Sequence, residues 1–110
     1  MGSKKEKSAL TEGVFYILIS LYKPLHGYGI MKFVSEISND RVNLGPGTLY
    51  GALNTLLEKK WISVVSNETD KRKKEYIITD EGKEVVEGEL IRLKELLENG
   101  NRIVKGEYGC

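Results

Sequence analysis

A mainly α-helical fold with one small β-hairpin is predicted by three observations on this 110-residue sequence. The stretch Leu44-Gly45-Pro46-Gly47-Thr48-Leu49-Tyr50-Gly51-Ala52-Leu53 has helical spacing directly after a turn signal. Two short β-branched and aromatic runs, Trp61-Ile62-Ser63-Val64-Val65 and Glu75-Tyr76-Ile77-Ile78-Thr79, follow it and flank a polar segment with four consecutive cations. A last amphipathic stretch closes the chain. Helices followed by a basic hairpin outline a winged helix-turn-helix, here extended by a long C-terminal helix.

The elements follow in order. Ser8 or Thr11 can cap a first helix running to about Tyr22, with Leu10, Val14, Ile17, Leu18 and Leu21 at helical spacing, and Lys23-Pro24-Leu25 breaks it. A second helix begins near His26-Gly27-Tyr28-Gly29, continues through Ile30, Met31, Phe33, Val34 and Ile37, and ends around Ser38-Asn39-Asp40. His26 is the single histidine and has no carboxylates placed to share a metal, so capping or packing at this helix is its expected role. Pro46 suits the entry to the third helix, because a missing N–H costs little there. At about 100° per residue, Leu49, Ala52, Leu53, Leu56 and Leu57 share one side, and Gly47, Gly51, Asn54, Thr55 and Glu58 the other. The outer side is small and short-polar, a surface that lets a DNA groove approach the backbone. A plain solvated face is the alternative.

In the hairpin, period two puts Ile62 with Val64 and Tyr76 with Ile78. Between the strands, Ser66-Asn67-Glu68-Thr69-Asp70 leads into Lys71, Arg72, Lys73 and Lys74. Cations crowded on a hairpin tip repel one another, whereas phosphates of duplex DNA would pair with them and release condensed counterions. Arg72 also suits a narrow minor groove. Glu68 and Asp70 offset part of the run, and a solvated loop is the alternative.

Thr79 or Asp80 can cap the last helix, and Glu81 and Glu84 favour its positive end. Val86, Leu90, Leu93 and Leu97 recur at intervals of four, three and four, with Val85 and Leu96 widening the stripe. About 18 residues reach roughly 27 Å, beyond a small domain. A second copy of the chain is the simplest partner for this seam, and folding back on its own domain is the alternative. Gly100 and Asn101 are expected to end the helix. The organisation read from the sequence is thus a DNA-binding domain over 8–79, a dimerisation helix over 80–99, and loose ends at 1–7 and 100–110.

Composition limits the function. The formal charge is only +1, yet residues 1–79 hold 12 Lys/Arg against 8 Asp/Glu and residues 80–110 hold 5 against 8, so any DNA-facing part lies in the first portion. One cysteine, Cys110, excludes an internal disulfide or multi-cysteine zinc site and fits a reducing, cytoplasmic setting. No apolar run approaches the roughly 20 residues needed to cross a bilayer, so no membrane partner is expected; Val14–Tyr22 reads as a buried helix. No nucleophile has a histidine base in sequence reach, and no phosphate-binding glycine loop or metal-ligand cluster is present. An enzyme, a cofactor and a metal are therefore not expected.

Three motifs, His26-Gly27-Tyr28, Gly47-Thr48-Leu49-Tyr50 and Tyr76-Ile77-Ile78-Thr79-Asp80-Glu81-Gly82, occur in the order and at the distances seen in PadR-type transcriptional regulators. The chain resembles that family over nearly all of residues 8–98. The resemblance implies a homodimeric repressor with a winged-helix domain and a C-terminal dimerisation helix, often released by a small molecule. The short tail looks like the family's compact branch. Two departures stand out: Gly51 occupies a position where many relatives have proline, and Trp61 stands where a glycine commonly opens the strand.

The candidate DNA contacts are Thr48, Tyr50, Asn54 and Thr55 in the major groove, Tyr28 on phosphate, and Lys71, Arg72, Lys73 and Lys74 on flanking phosphates or in the minor groove. Trp61 either stacks on a ligand or seals the core, and sealing is preferred. Residues 81–98 contain no aromatic, so a small aromatic or drug-like effector would have to meet Phe15, Tyr16 and Tyr22 of the first helix. The competing reading is a winged-helix module that binds another protein through its terminal stripe and touches DNA weakly or not at all.

Overall fold

The computed structural model describes residues 9–65 and 69–106, with Lys71 represented by its backbone alone. The readings that involve Ser8, Ser66, Asn67, Glu68, Cys110 and the Lys71 side chain lie outside the described residues.

Helix α1 spans Glu12–Ser20, and Thr11 is its cap, accepting a hydrogen bond from the Val14 N–H at 3.1 Å. The helix stops short of Tyr22, and Leu21 is its C-cap. Strand β1 (Leu25–His26) follows, then α2 (Gly27–Ile37), α3 (Pro46–Glu58), β2 (Ile62–Val64), a single 3-10 turn (Lys71–Lys73), β3 (Glu75–Ile78) and α4 (Asp80–Val104). The expected two-stranded hairpin is in fact a three-stranded antiparallel sheet. β3 lies in the centre, with Leu25 opposite Tyr76 on one side and Ile62 opposite Ile78 on the other. Two residues beside a proline carry too little pattern to announce β1; the free edge of β3 recruits them.

The core joins Ile17, Leu18 and Leu21 of the α1 segment to Ile30 and Val34 of α2, Leu49, Leu53 and Leu56 of α3, and Ile62, Tyr76 and Ile78 of the sheet. The predicted inner side of α3 is buried or half-buried throughout. On the hairpin the period-two reading holds for Tyr76 and Ile78, but Val64 is exposed while Ile62 is buried, because β2 leaves the core after its first residue.

Side-chain hydrogen bonds close both ends of α2. Nδ1 of His26 accepts from the Gly29 N–H at 3.1 Å, which makes this histidine the cap of α2 as expected. At the far end of α2, the buried Ser38 hydroxyl donates to the Val34 carbonyl at 2.7 Å and accepts from the Val42 N–H at 3.0 Å. Asn39 and Asp40 then take left-handed φ values of 54° and 62°, which these two residue types tolerate better than most. This turn directs the chain into α3.

The corner after α3 corrects the reading of Trp61. Lys60 has φ 65°, its N–H donates to the Leu57 carbonyl, and the Trp61 N–H reaches back to the Leu56 carbonyl, a Schellman cap. The position that favours glycine is therefore Lys60, one residue earlier. Trp61 is half-buried against the core, as the sealing reading expected, with the Lys59 ammonium 5.1 Å from its ring. Replacing Lys60 by glycine is expected to raise stability by about 0.5–1 kcal/mol, because it relieves the left-handed penalty of a side chain; chemical denaturation of the two proteins checks it.

The last helix behaves differently along its length. Thr79 caps it by accepting from the Gly82 N–H at 3.0 Å, and its hydroxyl donates to the Lys60 carbonyl at 2.7 Å. Val86 is only 3% exposed and belongs to the protomer's own core, so it is not part of a seam for a partner. Leu90, Leu93 and Leu97 are exposed, Leu97 by 64%. The helix continues through Gly100 and Asn101 to Val104, ending at Lys105 and a left-handed Gly106. Glycine and asparagine inside a helix cost little enough that the flanking turns carry them through. At 25 residues the helix reaches roughly 37 Å.

Glu89 is the one carboxylate buried among the described residues, 7% exposed. It accepts from the Leu10 N–H at 3.3 Å and from Arg92 at 2.9 and 2.6 Å, tying α4 to the start of the described chain. The Arg92 hydrogen bonds hold its carboxyl below the ordinary glutamate range, against the opposing effect of burial. A depressed carboxyl stabilises the fold above its unfolded pKa, near 4.3, and loses that contribution as the pH falls through the lower folded value. Glu89→Gln should cost about 1–2 kcal/mol at neutral pH, with the difference from wild type shrinking below about pH 4.5. Denaturation curves at pH 7, 5 and 3.5 test this.

Candidate nucleic-acid interface

The outer side of α3 is open along its length. Gly47, Thr48, Gly51, Asn54, Thr55 and Glu58 are all exposed, and a Cβ added at Gly45, Gly47 or Gly51 would meet nothing within 4 Å. These three glycines therefore answer no packing need inside the described residues. Gly45 provides no side-chain cap for the first N–H groups of α3. The Thr48 and Asn54 side chains make no hydrogen bond among the described residues, while the Thr55 hydroxyl donates to the Gly51 carbonyl at 3.3 Å.

Tyr50 does not join them. Its ring packs against the core, and its hydroxyl lies so close to Gly27 that any Cβ there would collide with it. Burial, and then the neighbouring Tyr50, push the Tyr76 phenol above its ordinary pKa. The glycine of the first motif and the tyrosine of the second thus form one joint between α2 and α3. Position 50 sits at the border of the two helix sides, so spacing alone leaves its direction open.

Tyr28, one residue beyond that joint, points outward and is 68% exposed. Lys32 follows on the same side of α2 and is exposed too. It is absent from the candidates read from the sequence, although its four-residue spacing from Tyr28 is a signal for it. The 3-10 turn Lys71–Lys73 packs beside α2 and leads into β3. Arg72 and Lys73 are exposed, and Lys74 is half-buried. The α2 helix, which carries Tyr28 and Lys32, thus contacts both α3 and the 3-10 turn of the wing.

Elsewhere, Phe15 and Tyr16 are half-buried with ring centroids 6.2 Å apart, and Lys83 sits 5.6 Å from the ring of the exposed Tyr22. An open groove runs between α3 and α4, lined by Leu10, Val14, Leu56, Trp61, Val85 and Ile91. Among the described residues no cluster of His, Cys, Asp or Glu could hold a metal, and no helix is long and apolar enough to cross a membrane.

Three helices, a wing on a three-stranded sheet and an exposed short-polar third helix define a winged helix-turn-helix protein. The chain belongs to the PadR-like family of transcriptional regulators, whose pattern matches residues 14–88. Among solved structures it is similar to RosR of H. salinarum, at 26% identity and TM-score 0.66 over 89% of this chain and 93% of that one. It is also similar in fold to a PadR family transcriptional regulator from Eggerthella lenta, at 22% identity and TM-score 0.65 over 83% and 76% of the two chains. A PadR-like transcription factor from Bacteroides fragilis gives 24% identity and TM-score 0.65 over 83% and 87%. A curated relative, a 37.1 kDa protein of transposon TN4556 in Streptomyces fradiae, is 39% identical over 66 residues; the match covers 60% of this chain and 18% of that protein.

Proposed function

We propose that this PadR-like regulator is a homodimeric repressor that binds a palindromic operator. The observation that carries the reading is the outer side of α3, where Thr48, Asn54 and Thr55 stand exposed between glycines with open space above them. In a major groove, Asn54 addresses an adenine edge and Thr48 a phosphate or base edge at the helix start. Tyr28, Lys32, Lys71, Arg72, Lys73 and Lys74 take flanking phosphates or a minor groove. Tyr50 serves by fixing α3 against Gly27. Leu90, Leu93 and Leu97 form the dimer seam, and Val104 lies seven residues beyond Leu97 on the same stripe, with Gly100 between them.

Selection of bound duplexes from a random library, repeated at two salt concentrations, tests the reading. The expected result is an enriched two-fold symmetric motif with half-sites about one helical turn, or a multiple of it, apart, bound more weakly as salt rises. A folded sample that enriches no motif would overturn it in favour of a protein-binding module.

A further inference from the structure

Asp70 and Arg72 are joined on the wing by three hydrogen bonds. Arg72 donates Nε to Oδ1 of Asp70 at 3.2 Å and Nη2 to Oδ2 at 3.1 Å, and its backbone N–H reaches Oδ1 at 3.0 Å. The Lys73 N–H donates to the Asp70 carbonyl at 2.9 Å, closing the 3-10 turn. The Asp70 side chain is one-third exposed (33%), whereas Arg72 is 87% exposed. The carboxylate is therefore seated in the turn, and it grips one edge of a guanidinium whose other edge faces outward. A guanidinium has five donors; two are engaged here, and three stay available in a fixed fork.

We propose that Asp70 is a positioning residue for DNA recognition, holding Arg72 so that its free edge meets a groove or phosphate in one orientation. This rests on the DNA-binding reading above. The chemistry sets two opposing consequences. A carboxylate beside the backbone phosphates weakens attraction to every duplex. An arginine on a flexible stem loses rotamer freedom on binding, and a clasp that restricts it beforehand lowers that cost only where the geometry fits. Asp70 thus trades general affinity for discrimination. A sequence-dependent narrow minor groove is the kind of feature that an aimed arginine reads and a loose one reads poorly.

Asparagine separates this role from turn-making, since its carbonyl still accepts from the Arg72 N–H and keeps the turn, while the charge that clasps the guanidinium is gone. The test compares wild type, Asp70→Asn, Arg72→Gln and the double variant, each checked for an unchanged thermal midpoint. They bind the duplex recovered by selection and a shuffled duplex of the same length. Asp70→Asn is expected to keep or raise affinity for the shuffled duplex and to lower the ratio of the two affinities about fivefold or more, the lower end of what one well-aimed side chain contributes. In the Arg72→Gln background the same change should leave the ratio unaltered. A wild-type ratio in Asp70→Asn, or an equal fall with and without Arg72, would overturn the inference while the DNA-binding reading stands. Absence of discrimination in the wild type overturns both.

Discussion

Gly82→Ala is expected to lower the thermal midpoint by roughly 10–20 °C, the largest stability effect of any single methyl group in this chain. A Cβ at position 82 would run into the carbonyl oxygen of Trp61 and lie 2.7 Å from Cγ1 of Ile78. The first obstacle is backbone, and it cannot swing aside. It is also committed, because the Trp61 carbonyl accepts the Thr79 N–H at 2.9 Å, and Thr79 in turn caps α4 and binds the Lys60 carbonyl. Moving it would disturb the joint that holds α4 to the corner after α3. The expected cost is about 2–4 kcal/mol, at and just above the usual range of about 1–3 kcal/mol for forcing atoms into a packed site, because the obstacle is backbone. Gly88→Ala in the same helix supplies the control, since a Cβ there meets nothing within 4 Å and the residue is exposed. Its effect should have the opposite sign, about 0.5–1 kcal/mol more stable, as usual for replacing a helical glycine. Scans at one fixed protein concentration keep any self-association from entering the comparison. A midpoint for Gly82→Ala within about 2–3 °C of wild type would contradict the close approach.

Changing Lys71, Arg72, Lys73 and Lys74 together to glutamine should have the largest effect on binding. Every phosphate that goes unneutralised takes about 0.9 from the slope of log affinity against log salt, so the slope should flatten by roughly 3–4. Affinity for unrelated duplexes should fall on the order of 100-fold, because pairing with phosphates carries little sequence information. Fluorescence anisotropy across a salt series gives both quantities. Since Arg72 is held by Asp70, the operator should lose somewhat more than the shuffled duplex. Unchanged affinity and slope on a selected operator would remove the wing from the interface.

The three motifs that carried the family resemblance also explain themselves mechanically. His26 caps α2, Gly27 makes room for Tyr50, and Leu49 is core. Tyr76 and Ile78 fill the sheet's inner side, Thr79 caps α4, and Gly82 admits the corner carbonyl. At the other extreme, Tyr28, Gly47 and Thr48 are directed outward. Most of the recognisable pattern therefore records how the helices are joined, and a minority of it faces outward.

Local structure was legible in the residues unaided. Helix periodicity separated the buried side of α3 from the open one, and the entry at Pro46 followed from bonding within a few residues of the chain, whereas the structure chose Thr11 from the pair Ser8 or Thr11 and capping from the two roles open to His26. Tertiary packing decided everything that depends on which neighbour meets a given side. It assigned Val86 to the protomer's own core and left Leu90, Leu93 and Leu97 exposed, although all four fit one stripe, because the domain ends partway along α4. It turned Tyr50 inward over Gly27, recruited β1 to the edge of β3, and set the left-handed corner at Lys60 rather than at Trp61. It also brought the wing cations back beside α2 and paired Arg72 with Asp70. Periodicity fixes the angle of a side chain about its own axis, whereas distance to another element depends on packing summed over the whole core, which no single window of residues contains.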